Sequence, residues 1–338
     1  MKEALLYEKL EHKRVQCNLC AHRCKIGPSK TGICKVRENV DGILYSKVYG
    51  RTIARHIDPI EKKPLYHFLP GSKAFSIGTP GCNLHCNFCQ NYEISQVENR
   101  SILEFGIPAS PEEIVREALQ SGCKSIAYTY TEPTIFFEYA YDIARLASSK
   151  GLRNIYVSNG FMTAEMLDMI APWLDAINID LKAFNDKTYR SLIGGHLDPV
   201  LESLKKVSQT NIWLEVTSLV IPDINDGDNE LKQMAQFIAK ELGEDVPWHI
   251  SRFFPNYKMN DAAPTPVRTL DKAVKAGQEA GLNYIYVGNV PFSTHQSTHC
   301  PQCNTLLIDR SGYDVNVISG AIENERCTNC GTRIAIVV

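Results

Sequence analysis

Several things are missing from this sequence. No apolar run of roughly 18 residues occurs in its 338 residues, so no stretch reads as a membrane-spanning helix. The opening, Met1 to Val15, is charged and has no apolar core of the kind a secretory leader carries; a soluble, cytoplasmic protein is expected. Neither Gly-x-Gly-x-x-Gly nor Gly-x-x-x-x-Gly-Lys-Ser/Thr is present, which removes the phosphate cradles of the common nucleotide folds. Charge is balanced, with Lys+Arg 36 against Asp+Glu 38, and gives no electrostatic case for nucleic acid or an anionic membrane as partner.

Cysteine, by contrast, is plentiful. All but one of the 12 fall into three local groups with metal-like spacing, and nothing signals export, so metals are expected rather than disulfides. The exception, Cys123, follows Gly122 between a helix and a strand and reads as a small buried thiol. The middle group is Cys82-x-x-x-Cys86-x-x-Cys89, in a loop entered from the apolar-alternating run Ala74 to Thr79. A structural zinc site and a ferredoxin site both want four protein ligands, so three close cysteines imply an iron-sulfur cluster with one iron left to an outside ligand.

Two further groups flank it. Cys17-x-x-Cys20-x-x-x-Cys24 with Cys34, turned by Gly27, Pro28 and Gly32, makes a closed set for either zinc or an iron-sulfur cluster; His22 is a substitute ligand or a supporting residue. Near the far end, Cys300-x-x-Cys303 and Cys327-x-x-Cys330 are two knuckles separated by strand-rich sequence, the layout of a zinc ribbon. Zinc is the expected metal, ahead of a rubredoxin-like iron or a redox dithiol, and the scarcity of basic residues there argues for a folding clamp rather than a nucleic-acid module.

Between these groups, short β-branched and aromatic runs alternate with helical periods. Strands are expected at 74–79, 125–131, 154–158, 176–181, 212–221, 248–254 and 284–287. Helices start at Ser110-Pro111-Glu112-Glu113, Asp198-Pro199 and Asp228, with Met162, Met166 and Met169 as core residues of another. Such alternation demands parallel pairing through crossovers, and seven strands favour a barrel-like sheet with polar residues at strand C-termini facing a site. The expected division is 1–70, a four-cysteine metal-binding segment; 71–292, the α/β barrel; and 293–338, the zinc-ribbon-like unit. Tyr45 to Pro70 reads as a polar lead-in, and Gly194-Gly195-His196 as a turn or a mobile loop over the site.

Cys82-x-x-x-Cys86-x-x-Cys89 with Phe88 before the last cysteine resembles the signature of radical S-adenosylmethionine (SAM) enzymes. That resemblance implies a partial (β/α)6 barrel, a 4Fe-4S cluster held by Cys82, Cys86 and Cys89, and SAM chelating the open iron. It also implies SAM contacts from successive strand ends: Thr131-Glu132-Pro133, where the family carries Gly-Gly-Glu-Pro, Asn159 in Ser158-Asn159-Gly160, and Asp180 with Lys182 in Asp180-Leu181-Lys182. On the strand Trp248 to Phe254, His249 and Arg252 are candidates for contact with substrate or the SAM carboxylate.

With Cys17, Cys20, Cys24 and Cys34, Pro80-Gly81-Cys82 through Asn91, and Trp248 to Phe253, the chain is similar almost throughout to the AmmeMemoRadiSam system radical SAM enzymes. This implies reductive cleavage of SAM to a 5′-deoxyadenosyl radical that abstracts hydrogen from a substrate. It also implies a flavodoxin or ferredoxin electron donor, and Memo-like and AMMECR-like partner proteins. A glycyl-radical activase is the alternative.

Overall fold

The computed structural model describes residues 1–96, 106–291 and 293–338. Phe292, the last residue of the expected barrel span, lies outside them. Eight strands form one sheet: β1 (Ala54–Pro59), β2 (Lys73–Gly78), β3 (Ser125–Tyr128), β4 (Arg153–Ser158), β5 (Ala176–Asp180), β6 (Trp213–Val220), β7 (Trp248–Arg252) and β8 (Ile285–Gly288). They lie side by side in chain order. From β2 to β8 every pairing is parallel, whereas β1 runs antiparallel along β2.

Parallel neighbours cannot be joined by tight turns, so each crossover carries a helix. These are α1 (Pro111–Gln120), α2 (Phe137–Ser149), α3 (Ala164–Ile170), α4 (Leu197–Ser208), α5 (Asp228–Phe237) and α6 (Val267–Glu279). The start of α1 shows why the sequence is readable: Ser110 Oγ accepts from Glu113 N at 3.2 Å, and the Glu113 carboxylate accepts from Ser110 N at 2.7 Å. The two reciprocal bonds satisfy donors that every helix start leaves open. All seven expected strands are present. Only β1 is additional, from the stretch read as a lead-in; as an edge strand it keeps exposed polar residues such as His56 and lacks the apolar alternation that marks a buried strand.

Residues before β1 make two small antiparallel sheets, one of Tyr7–Lys9, Val15–Cys17 and Lys25–Ile26, the other of Lys2–Glu3, Arg37–Val40 and Ile43–Ser46. They dock on α2 through a bidentate pair, Arg37 to Glu138, with nitrogen–oxygen distances of 2.8 and 2.7 Å and both side chains buried.

After β8, Thr298–His299, Leu306–Ser311 and Asp314–Val317 form an antiparallel sheet, and Ile322–Glu323 pairs with Arg326–Cys327. Leu307, Ile308, Ile334 and Ile336 pack with Cys300 and Cys327 into a separate small core. The apolar run 334–338 does not extend that sheet; it makes a single parallel bridge, Val337 to Phe68. Among the described residues no helix is long and apolar enough to cross a membrane.

Candidate active site

The chain leaves β2 through Thr79-Pro80-Gly81 and enters the cysteine loop at the C-terminal ends of the parallel strands, where the sheet's geometry opens a crevice. The loop is held from three sides. His85 N and Asn87 N donate to Ile193 O and Leu192 O at 2.8 and 2.9 Å, and Gly194 packs on His85. A side chain on Gly195 would approach Leu84 to 2.7 Å, so the Gly194-Gly195 turn is wedged against the loop, not spread over it. Lys258 N donates to Asn87 O at 3.1 Å, and Asn256 Nδ2 to Gln90 Oε1 at 3.1 Å.

The third side is Asn159, at the end of β4. Its Nδ2 lies 2.8 Å from Asn83 Oδ1 and 3.7 Å from Cys82 Sγ, while its Oδ1 accepts from Phe161 N. Cys82 Sγ also accepts from Leu84 N at 3.4 Å, and Cys89 Sγ sits 3.2 Å from Ser95 Oγ. Asp180, at the end of β5, grips Lys182 Nζ at 2.8 Å. Burial opposes the lysine charge, but the Asp180 carboxylate, together with Cys86 when it is a thiolate, outweighs it, and the Lys182 pKa is raised. Asn159, Asp180 and Lys182 are therefore gathered at the three cysteines.

Burial pushes the Cys86 thiol up to about 11 against the pull of Lys182, and it raises Cys82 strongly, with Glu132 adding to the rise. Thiols in this state bind a metal by losing their protons to solvent and ligating as thiolates. Among the described residues the only metal-ligand group with atoms all within 4.8 Å of one another is Cys300, Cys303, Cys327 and Cys330. Three thiolates on one loop can hold three irons of a four-iron cluster and leave the fourth open.

Glu132 is placed differently from a free ligand. Its buried carboxylate accepts from Thr134 N and Oγ1 at 3.0 and 2.6 Å, from Ser158 Oγ at 2.8 Å and from Asn159 N at 2.8 Å. It ties the end of β3 to the end of β4 and so sets Asn159. Thr131 Oγ1 donates to Thr79 O at 2.8 Å, tying the same turn to the start of the loop. Tyr130 has φ +68, a left-handed conformation that costs a bulky residue on the order of 1–2 kcal/mol. Its hydroxyl donates to Asp58 on β1, which also holds Lys63 Nζ at 2.6 Å, and Lys63 lies over the Tyr130 ring.

Arg252 ends β7 with Nε donating to Thr265 O at 2.7 Å and its guanidinium 4.9 Å from the Phe254 ring centre; Phe254 O in turn accepts from Gln90. It borders the loop through these neighbours. His249 does not join this group. It sits at the start of β7, its Nε2 2.6 Å from Glu215 Oε2 and its ring against Tyr66 and Tyr286. Glu215 also accepts from the backbone N–H groups of Tyr66 and His67, and Arg310 reaches Tyr66 O at 2.6 Å. The N-terminal end of the sheet is thus closed by a polar cluster to which the C-terminal unit contributes. Alternation along the strand put His249 and Arg252 on opposite faces but did not say which face, or which end, meets the site.

In the C-terminal group, Cys300 and Cys330 sulfurs are 3.5 Å apart and Cys303 and Cys327 3.7 Å. Tetrahedral zinc with bonds of about 2.3 Å sets its sulfurs about 3.8 Å apart. The Thr305 hydroxyl beside Cys303 holds that thiol down to about 5. Residues not singled out from the sequence but central to the site include Asn83 and Asn256, whose roles depend on contacts between segments distant in the chain.

A family model described as the radical SAM superfamily matches residues 76–238. An uncharacterized protein of Methanocaldococcus jannaschii is 41% identical across 100% of both chains. GTP 3′,8-cyclase of Aquifex aeolicus is 23% identical, covering 69% of this chain and 78% of its own. Pyruvate formate-lyase-activating enzyme of Clostridium pasteurianum is 21% identical, covering 57% and 82% respectively.

Proposed function

This chain belongs to the radical SAM superfamily and is a radical SAM enzyme, and on that footing we propose that Cys82, Cys86 and Cys89 hold a 4Fe-4S cluster at which SAM is reductively cleaved. Such a cluster, reduced by an outside one-electron donor, would supply one electron to the sulfonium of SAM, whose C5′–S bond would break to give methionine and a 5′-deoxyadenosyl radical able to abstract hydrogen from a substrate. The chain's part is to bind, orient and exclude water. Asn159 fixes the Cys82 side of the loop through Asn83. Lys182, kept charged by Asp180, offsets negative charge beside Cys86 and offers a cationic partner for a carboxylate. Thr131 and the Glu132 turn set the backbone on the facing side.

The observation that carries this reading is the convergence of three soft ligands with Asn159, Asp180 and Lys182 at the C-terminal ends of β2, β4 and β5. Anaerobic reconstitution with iron and sulfide, followed by dithionite and SAM, is expected to yield 5′-deoxyadenosine. No such product from an iron-replete chain would overturn the reading.

The working context we infer is a cytoplasmic system with Memo-like and AMMECR-like proteins and a flavodoxin or ferredoxin donor; twelve cysteines without a disulfide accord with a reducing compartment. Zinc at Cys300, Cys303, Cys327 and Cys330 is the metal their spacing favours. The second reading, an activase that installs a glycyl radical in a partner protein, draws on the similarity to pyruvate formate-lyase-activating enzyme. Transfer of hydrogen from a partner's glycine to deoxyadenosine, followed by isotope labelling, separates the two.

A further inference from the structure

We propose that Cys17, Cys20, Cys24 and Cys34 hold a second iron-sulfur cluster, with Arg37 as its hydrogen-bonding counter-charge. The inference stands independently of SAM cleavage. The four thiols line one pocket with Leu19, Ile26, Ile33 and Ile135, and the only charged or titratable side chains that join them there are Arg37 and His22. A largely apolar wall with four soft donors suits an iron-sulfur cluster.

Zinc fits these residues poorly. Among the described residues the compact set that suits one ion, with sulfurs all within 4.8 Å of one another, is Cys300, Cys303, Cys327 and Cys330, and the N-terminal cysteines do not belong to it. A single ion with bonds of about 2.3 Å would need them closed to that degree. Thiolates bound to separate irons stand further apart.

Two further observations point to an anionic occupant. The backbone N–H groups of His22, Ile33 and Val36 lie near the sulfurs of Cys20, Cys24 and Cys34 and favour their thiolate forms. The turns that aim them hold Arg23 and Lys35 at φ +42 and +65, conformations that non-glycine residues adopt at a cost. Arg37, 2% exposed, uses its two terminal nitrogens on Glu138, while its Nε finds no acceptor among the described residues. A buried, unpaired N–H on a cation is costly unless something accepts it. A cluster's thiolate or sulfide would be that acceptor.

The pocket adjoins the Cys82 loop directly. Gly81, at φ +98, approaches so closely that a side chain there would meet Cys34 O at 3.0 Å and Val36 Cγ1 at 2.8 Å. His22 Nε2 bonds Asn83 O at 2.7 Å. The two cysteine sets therefore share one wall.

The test uses the full chain, reconstituted anaerobically with iron and sulfide, and reads acid-labile sulfide, iron and zinc. In the triple variant Cys82→Ala, Cys86→Ala, Cys89→Ala, labile sulfide is expected to remain at about half the wild-type amount, and adding Cys20→Ser and Cys24→Ser should remove it. No labile sulfide in the triple variant, or zinc in place of iron at the N-terminal set, would overturn the proposal. Should the triple variant fail to fold, the wild type decides: labile sulfide of only about four per chain, enough for a single cubane, overturns it, and clearly more than four supports it.

Discussion

His249 and Glu215 are each other's partner: the imidazole Nε2 lies 2.6 Å from the carboxylate Oε2, and both side chains are buried. Burial alone would raise the Glu215 pKa, but the hydrogen bonds it accepts from His249 and from the backbone N–H of Tyr66 hold it below the usual range. Glu215→Ala would strand His249 and two backbone donors, and a destabilisation of about 3–5 kcal/mol is expected. Urea unfolding measures it. Deoxyadenosine formation per folded molecule should be unchanged. A lost reaction with an unmoved unfolding midpoint would instead place this pair in contact with SAM or substrate.

His67 gives a pH dependence. Burial holds its pKa down to about 4; Nδ1 lies 2.6 Å from Ala335 O and Nε2 2.5 Å from the Tyr286 hydroxyl, contacts that suit a neutral ring. Unfolded, it titrates near 6.5. Its contribution is therefore complete above about pH 6.5 and shrinks as pH falls toward 4, where the unfolded chain takes the proton first, by on the order of 3 kcal/mol. Unfolding midpoints at pH 7, 6 and 5 should fall accordingly. His67→Gln should flatten that slope, and an equal slope in the variant would assign the pH dependence to other groups.

Asn159→Ala removes the link to Asn83 and Cys82 while leaving all three thiols. Iron loading should survive. Deoxyadenosine formation should drop about tenfold to a hundredfold, the usual cost of losing a group that orients a metal ligand. A variant that keeps its full rate would limit Asn159 to packing.

Cys327→Ser breaks the C-terminal set at its most buried member. The chain should lose about one zinc and melt at lower temperature, since the small core around Leu307 and Ile334 packs directly on Cys300 and Cys327. Labile sulfide should not change. Metal analysis and a thermal melt check both points, and an unchanged zinc content would place zinc elsewhere.

The sequence was readable where the rule is local. Alternation and capping residues located the strands of the parallel sheet and the start of α1, and cysteine spacing located the candidate metal groups. Edge strand β1 was hidden because Ala54 to Pro59 needs only one protected side. Tyr130 was hidden for a different reason: nothing near it in the chain says that Asp58 and Lys63 will hold a tyrosine in a conformation suited to glycine. His249 shows the same limit. Its face on the strand was legible, but its partner Glu215, 34 residues away, was not.

The bridge between Val337 and Phe68, with Ala335 O on His67 and Arg310 on Tyr66 O, has a consequence for synthesis. These contacts join residues made early to residues made some 268 positions later. The closed end of the sheet must wait on the ribosome. Until residues 310–337 emerge, Tyr66, His67 and the start of β7 stay uncovered on a nascent chain, a window in which a chaperone would find its binding surface.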